Sequence, residues 1–437
     1  MDHVPDPVNP PRGMRDFLPA EKARREAVLA VIRDTYRAHG FDEIETPVVE
    51  DSARLNAGLG GDNEKLAYGV LKRGLSVDDL RAASQPLDLV DLGLRFDLTV
   101  PLARFYATHR AALPSVFRAI QIAPVWRAER PQKGRYRQFV QCDIDVIGEP
   151  GIRAEAELLV ASLAALDALG LGEAFIRVND RRLLIGMLDS FGFAAGERDA
   201  VLITIDKLDK IGQDGVIGEL RERAATAAAV DALEAFFRRP MTQEFLPFGE
   251  AAIRKALPAN PDAAVIADLV ELAEAVRAAR AGTAEPSDVL ATPAPLTFDP
   301  FLVRGMGYYT GPIFELAHPS VDYSLGGGGR YDGMIGRFLG TEVPATGFSL
   351  GFERLVDLVD LPAETGSSAV ALVHDDDVPL AALLVLQQRL LADVGRVRLV
   401  TRPKNVKPLL DALARDGFTH FSFVDAATTD PELRPLG

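Results

Sequence analysis

Two extended segments separated by a strongly basic loop constrain the fold of this chain more than any other feature. "VFRAIQIAPVWRAE" and "RQFVQCDIDVIG" bracket a turn rich in Lys, Gly and Arg. That spacing predicts an antiparallel, hairpin-like element with a long loop. Arg127, Arg130, Lys133, Arg135 and Arg137 put five cations into eleven positions, with Glu129 the one acid among them. The chain as a whole is acidic, with 63 Asp and Glu against 48 Lys and Arg and a net charge of −15 over 437 residues. A basic run is most often a solvated face. In an acidic chain, which has no general affinity for nucleic acid, it is also a local place for phosphate.

The length suits two or three domains. No charged-then-apolar leader is recognisable, and no apolar stretch reaches the roughly 18 residues of a membrane span. A cytoplasmic protein with no membrane partner is therefore expected. Cys142 is the only cysteine, which excludes internal disulfides and a Cys-based zinc site. The histidines show no ligand spacing, and His374 before Asp375–Asp377 reads as a charged loop after a strand, so the presence of a metal stays open.

Hydrophobic periodicity predicts a helix over 21–39, with Val28, Leu29, Ile32 and Tyr36 on one face and Gly40 ending it. "FDEIETPVVED" reads as a short strand whose Pro47 belongs at an edge or interface, because proline cannot donate to a ladder. Residues 88–148 read as several strands, 154–170 as a helix, and 171–300 as mainly helical. Val265, Leu269, Leu272 and Val276 form one stripe of that region, and 281–300 form a Pro/Ala-rich exit. Strand character returns over 301–357. The last 70 or so residues alternate strand and helix, which predicts a small parallel α/β domain.

Taken in order, "RGMRDFLP", "LRFDLTVPLAR", "VWRAERPQKGRYRQFVQCDID", "DKLDK", "LVRGMGYYTGPIFE", "GGGGRYDG" and "GFSLGFERL" resemble the histidyl-tRNA synthetases, which are class II aminoacyl-tRNA synthetases. The resemblance covers about residues 10–360. It implies an α+β catalytic core, an antiparallel sheet flanked by helices, formed by 1–170 and 301–360. It further implies an inserted, mainly helical domain over 171–300 that closes on the acceptor stem. A shortened anticodon-binding-like α/β domain over 368–437 completes the chain. It also implies an ATP-dependent ligase of protein biosynthesis that joins histidine to tRNA(His), with Mg2+ accompanying ATP. A homodimer is implied through the Pro47 segment and its helix, which resemble motif 1.

The chemistry explains why arginines recur in these motifs. A carboxylate attacks the α-phosphorus of ATP and expels pyrophosphate, which calls for positioning and positive charge around a crowded centre. Arginine stays charged and binds phosphate and carboxylate bidentately. By the resemblance, Arg127 and Arg304 hold the α-phosphate, with Arg127 also on the amino-acid carboxylate. Arg354 stacks beside the adenine and reaches the γ-phosphate, Glu129 lies near the adenine amino group, and Arg130 to Arg137, including the ATP-binding candidate Arg135, close over the nucleotide and meet the tRNA end. Asp97 and Thr99 meet the α-ammonium. Gln141, Asp145, Tyr308, Tyr309 and Tyr331 form the histidine pocket, since an imidazole needs an acceptor on one side and a hydroxyl or carboxylate on the other. The run Gly326–Gly329 allows close approach to the backbone, or is a flexible turn.

Three features depart from the family pattern. Gly307 stands where the family has an aspartate in "RGxDYY", which removes an expected support for Tyr308–Tyr309. The last lobe is short. It is also not basic, with eight Lys and Arg against nine Asp and Glu over 368–437. Two other readings therefore share this core: a non-catalytic regulatory subunit of ATP phosphoribosyltransferase, which tends to lose the activating arginines kept here, and a synthetase-like enzyme passing its adenylate to an acceptor other than tRNA.

Overall fold

The computed structural model describes residues 8–56, 66–131, 135–223, 225–239, 248–258, 261–281, 295–304, 307–360 and 368–436. Fifteen strands are numbered here in chain order: β1 Asp42–Glu43, β2 Val49–Asp51, β3 Tyr68–Leu71, β4 Val90–Leu94, β5 Phe117–Trp126, β6 Gln138–Ile147, β7 Phe175–Asp180, β8 Leu296–Phe298, β9 Pro312–Ala317, β10 Gly326–Arg330, β11 Ala345–Gly351, β12 Ala369–His374, β13 Arg396–Thr401, β14 His420–Val424 and β15 Arg434–Pro435. The chain divides into two compact units, residues 1–16 with 28–359 and residues 17–27 with 360–437.

The large unit is built on an eight-stranded sheet in the order β1-β5-β6-β11-β10-β9-β7-β8. β5 and β6 pair antiparallel along their whole length, from Phe117 opposite Ile147 to Trp126 opposite Gln138. The basic loop is therefore the tip of a long hairpin, as its flanking residues predicted. β1 and β8 are the edges, each parallel to its neighbour. Helix Arg153–Ala168 packs against β6 and β11, burying Leu158, Leu159, Ala161 and Leu166, which leaves the opposite sheet face to form a site.

Helix Pro19–Ala38 buries Val28, Leu29, Ile32 and Tyr36, and Gly40 ends it at φ 83°, a conformation glycine adopts without a Cβ penalty. The Pro47 segment differs from a single strand. β1 pairs with β5, whereas β2 joins β4 and β3 in a separate three-stranded sheet, and Pro47 lies in the connection. Arg95 causes the break: its Nη1 donates to the carbonyls of Thr46 (2.7 Å) and Pro47 (3.2 Å), drawing them out of any ladder. Within 171–300 the helices from Arg181 to Ala281 lie between β7 and β8, both of which are strands of the main sheet. Most of the Pro/Ala-rich exit, 282–294, lies outside the described residues.

In the small unit, β13-β12-β14 are parallel and β15 adds an antiparallel edge. The period of two along β12 is explicit. Ala369, Ala371 and Val373 join a cluster with Leu413 of helix Lys407–Arg415, while Val370 and Leu372 face Leu383 and Leu386 of helix Leu380–Leu390. The tail after "FTHFSFVD" thus supplies a short strand.

Candidate active site

One cavity of about 1650 Å³ opens on the free face of the large sheet, and all twelve residues singled out from the sequence line it. Register explains the arrangement. Reading straight across the sheet, Asp143 lies opposite Ser349, Ser349 opposite Gly327, Gly327 opposite Glu315, and Glu315 opposite Arg177. One step along, Asp145 lies opposite Gly347 and Gly347 opposite Gly329. Side chains of one strand face alternate, so Gln141, Asp143 and Asp145 of "QCDID" all face the cavity.

The glycine run is a buried central strand rather than a turn, and its missing side chains are spaces filled by the site. A Cβ on Gly327 would stand 2.8 Å from the guanidinium carbon of Arg304, and one on Gly329 would stand 2.9 Å from the Tyr309 ring. On Gly347 it would run into the Asp145 carboxylate.

Carboxylates gather at one part of the cavity. Tyr331 donates its hydroxyl to Asp145 Oδ1 at 2.5 Å. Ser349 donates to Asp143, which also accepts from Gln141 Nε2 at 3.3 Å. Asp97 accepts from the Val100 N–H at 3.3 Å, while its Oδ2 is buried without a partner. Burial pushes the Asp145 carboxyl up to about 7 and Asp97 to about 6. Asp143 is raised well above the usual range by burial and by the neighbouring Asp145. A cluster of buried acids with an unpaired oxygen calls for a ligand bearing N–H donors or positive charge.

The raised values carry a sign. A carboxyl that holds its proton more tightly in the folded state costs stability once ionised, so this contribution falls as pH rises from about 4 through 6 to 7. Asp97→Asn should match the wild type only below the ordinary aspartate range, near pH 3. Near pH 8 it should be more stable, by on the order of 2 kcal/mol, in thermal or urea denaturation of the unliganded protein. Equal stability at both pH values would contradict the assignment.

Cations gather elsewhere in the same cavity. Arg127 Nε donates to the Phe96 carbonyl at 3.0 Å, and its guanidinium lies 5.1 Å from the Phe139 ring. Arg354 lies 5.3 Å from the Tyr323 ring and donates to the Ser324 carbonyl. Burial and the nearby Arg135 both disfavour the Arg354 charge, a cost that an anion between them would offset. Glu129 stands 3.8 Å from Arg135. The base of the loop is held by Gly13, whose carbonyl accepts from the Arg137 N–H at 2.7 Å, and by Arg15, which covers the Tyr136 ring at 3.5 Å. Lys133, together with 132 and 134, lies outside the described residues, as do Gly305 and Met306.

Tyr308 and Tyr309 are supported without an aspartate at 307. Their rings lie 4.8 Å apart, and Tyr308 meets Tyr331 edge-on at 6.1 Å.

The model of the family described as histidyl-tRNA synthetase matches residues 13–355. The chain belongs to the histidyl-tRNA synthetase family. A histidine–tRNA ligase from Leifsonia xyli is 60% identical over 436 residues, covering 98% of this chain and 99% of that protein. The crystal structure of a histidyl-tRNA synthetase from Nostoc sp. PCC 7120 superposes with a TM-score of 0.74 at 25% identity, covering 99% of this chain and 95% of that one. A Bacillus halodurans structure described as an ATP phosphoribosyltransferase regulatory subunit/histidyl-tRNA synthetase superposes at 0.72 with 20% identity, covering 97% of this chain and all of the other, and shares the fold alone.

Sequence reasoning missed Asp143, Ser349, Glu315 and Arg177. The alternation in "QCDID" was the available signal for Asp143. Nothing local marks the other three, which reach the site through strand pairing.

Proposed function

We propose that this chain is a histidine–tRNA ligase. It activates histidine with ATP to histidyl-adenylate and transfers the histidyl group to tRNA(His). The observation that carries the reading is the two-sided cavity, with buried acids for the amino acid and clustered arginines for the triphosphate. Asp97 and Thr99 take the α-ammonium, while Asp145, Gln141 and the three tyrosines take the imidazole. The histidine carboxylate oxygen bonds to the α-phosphorus as the bond to the pyrophosphate oxygen breaks. Arg127 and Arg304 hold charge on the α-phosphate through that change. Arg354 and Arg135 accompany the departing phosphates, and Glu129 accepts from the adenine amino group. In the second step a terminal ribose hydroxyl of tRNA attacks the adenylate carbonyl and AMP leaves.

Magnesium enters with ATP. Among the described residues no group of three or more His, Cys, Asp or Glu is placed to hold a metal ion, and magnesium in such sites is carried mainly by the substrate phosphates with one or two carboxylates. The helices between β7 and β8 serve the acceptor stem, and residues 368–437 serve as the reduced anticodon-binding-like domain. We assign a homodimer to the β2-β4-β3 sheet, where Val70 and Leu92 pair in register and both are exposed, as is Leu71 at 59%. A single-protomer mass in sedimentation would remove that assignment. No described helix is long and apolar enough to cross a membrane, and tRNA charging places the work in the cytoplasm.

The test is amino-acid-dependent ATP–pyrophosphate exchange across the standard amino acids, followed by charging of tRNA. Exchange with histidine alone and charged tRNA are expected. No exchange would favour a regulatory protein, and exchange without charging would favour another acceptor.

A further inference from the structure

The "DKLDK" stretch has no part in the chemistry above, yet Asp206, Leu208, Asp209 and Lys210 line the cavity. Its charges lead to Arg304. Arg177 of β7 lies directly across the ladder from Glu315 of β9, and its guanidinium serves three carboxylates. It donates to Asp299 through Nε at 2.8 Å and also through Nη2. Nη1 reaches Glu315 Oε1 at 2.8 Å and Asp209 at 3.2 Å. The other oxygen of Glu315 accepts from Arg304 Nη1 at 3.0 Å. Asp206 is near enough for its carboxylate to feel the Arg304 charge.

We propose that Glu315 and Arg177 are positioning residues for Arg304, and that the 206–210 segment, where helix Arg198–Ile205 gives way to helix Leu208–Glu222, ties this chain of charges to the helices between β7 and β8. The inference rests on the reading of Arg304 as an α-phosphate ligand. A long arginine side chain loses considerable rotamer freedom when held in one geometry, and a transition-state partner acts best when already in place. Glu315 can do this holding because both its oxygens are engaged, one by a guanidinium fixed on a strand. Sharing also matters electrostatically. A carboxylate paired with Arg304 alone would largely neutralise it, whereas one divided between two guanidiniums leaves Arg304 positive toward phosphate. Lysine at 177 would keep the charge but lack the fork that meets Asp299 and Glu315 together. Asp209 is 74% exposed, so its own contribution is small and screened.

The experiment is histidine-dependent pyrophosphate exchange by the full-length protein, with Glu315→Gln and Arg177→Lys, each alone and combined with Arg304→Ala. Arg221→Ala, which breaks exposed pairs with Asp231 and Glu234, serves as the control. Each single variant is expected to lose about 10- to 100-fold in kcat, the scale of a misplaced catalytic group. KM for histidine and ATP should change less than about threefold, and the control should behave as wild type. Combined with Arg304→Ala, neither should lower the rate further, because coupled residues are not additive. Full additivity, or unchanged kcat in a folded Arg177→Lys, overturns the inference while leaving the ligase reading intact. Absence of exchange in the wild type overturns both, and is distinguishable on that ground.

Discussion

Arg304→Ala is expected to lower histidine-dependent pyrophosphate exchange by about 10²- to 10³-fold, the usual size of one transition-state charge partner. The side chain stands over Gly327, where a Cβ would come within 2.8 Å of the guanidinium carbon, and it lies in the cavity that also holds Arg127 and Arg354. The α-phosphate gains its extra bond in the transition state, so the loss should appear in kcat more than in KM for ATP. Arg304→Lys should recover only part of the rate, since a point charge lacks the planar fork. A variant as fast as wild type would remove Arg304 from the mechanism and, with it, the positioning role of Glu315 and Arg177.

Removing the acceptor proposed for the imidazole should have an effect of similar size on a different parameter. Asp145→Ala is expected to lower kcat/KM for histidine by about 10³-fold or more, because a buried site built to hydrogen-bond its substrate discriminates by 10⁴–10⁵ when that pairing is lost. The Tyr331 hydroxyl that donates to Asp145 at 2.5 Å would be left buried without its acceptor. KM for ATP should move little, since the arginines are untouched. Asp145→Asn, which keeps an acceptor oxygen but not the charge, should fall between the two. Equal losses for histidine and ATP would mean that the substitution disturbs the sheet rather than the pocket, and a rise in melting temperature would separate a buried-charge effect from a binding one.

Much of this architecture was legible in the residues. The face formed by Val28, Leu29, Ile32 and Tyr36 is buried as its period predicted, and the hairpin of β5 and β6 follows from two extended runs about a basic turn. The small unit likewise matches its alternation of strand and helix. Illegible features depend on partners far along the chain. "FDEIETPVVED" is divided between two sheets because Arg95, 48 residues beyond Pro47, captures its carbonyls. "GGGGR" is a buried strand because Arg304, Tyr309 and the backbone of β11 occupy the space that side chains would need.

Residue type and local period determined which segments become strands and helices, and the order of the motifs determined the chemistry available to them. The tertiary structure alone decided that Asp143, Ser349, Glu315 and Arg177 stand in one row beside Arg304. That row is set by the register of five strands, in which the partners Asp143 and Ser349 are separated by 206 residues. A one-residue slip in any of those ladders would turn the affected side chains to the opposite face. Local sequence specifies each strand's alternation, but only the assembled sheet specifies which alternations coincide.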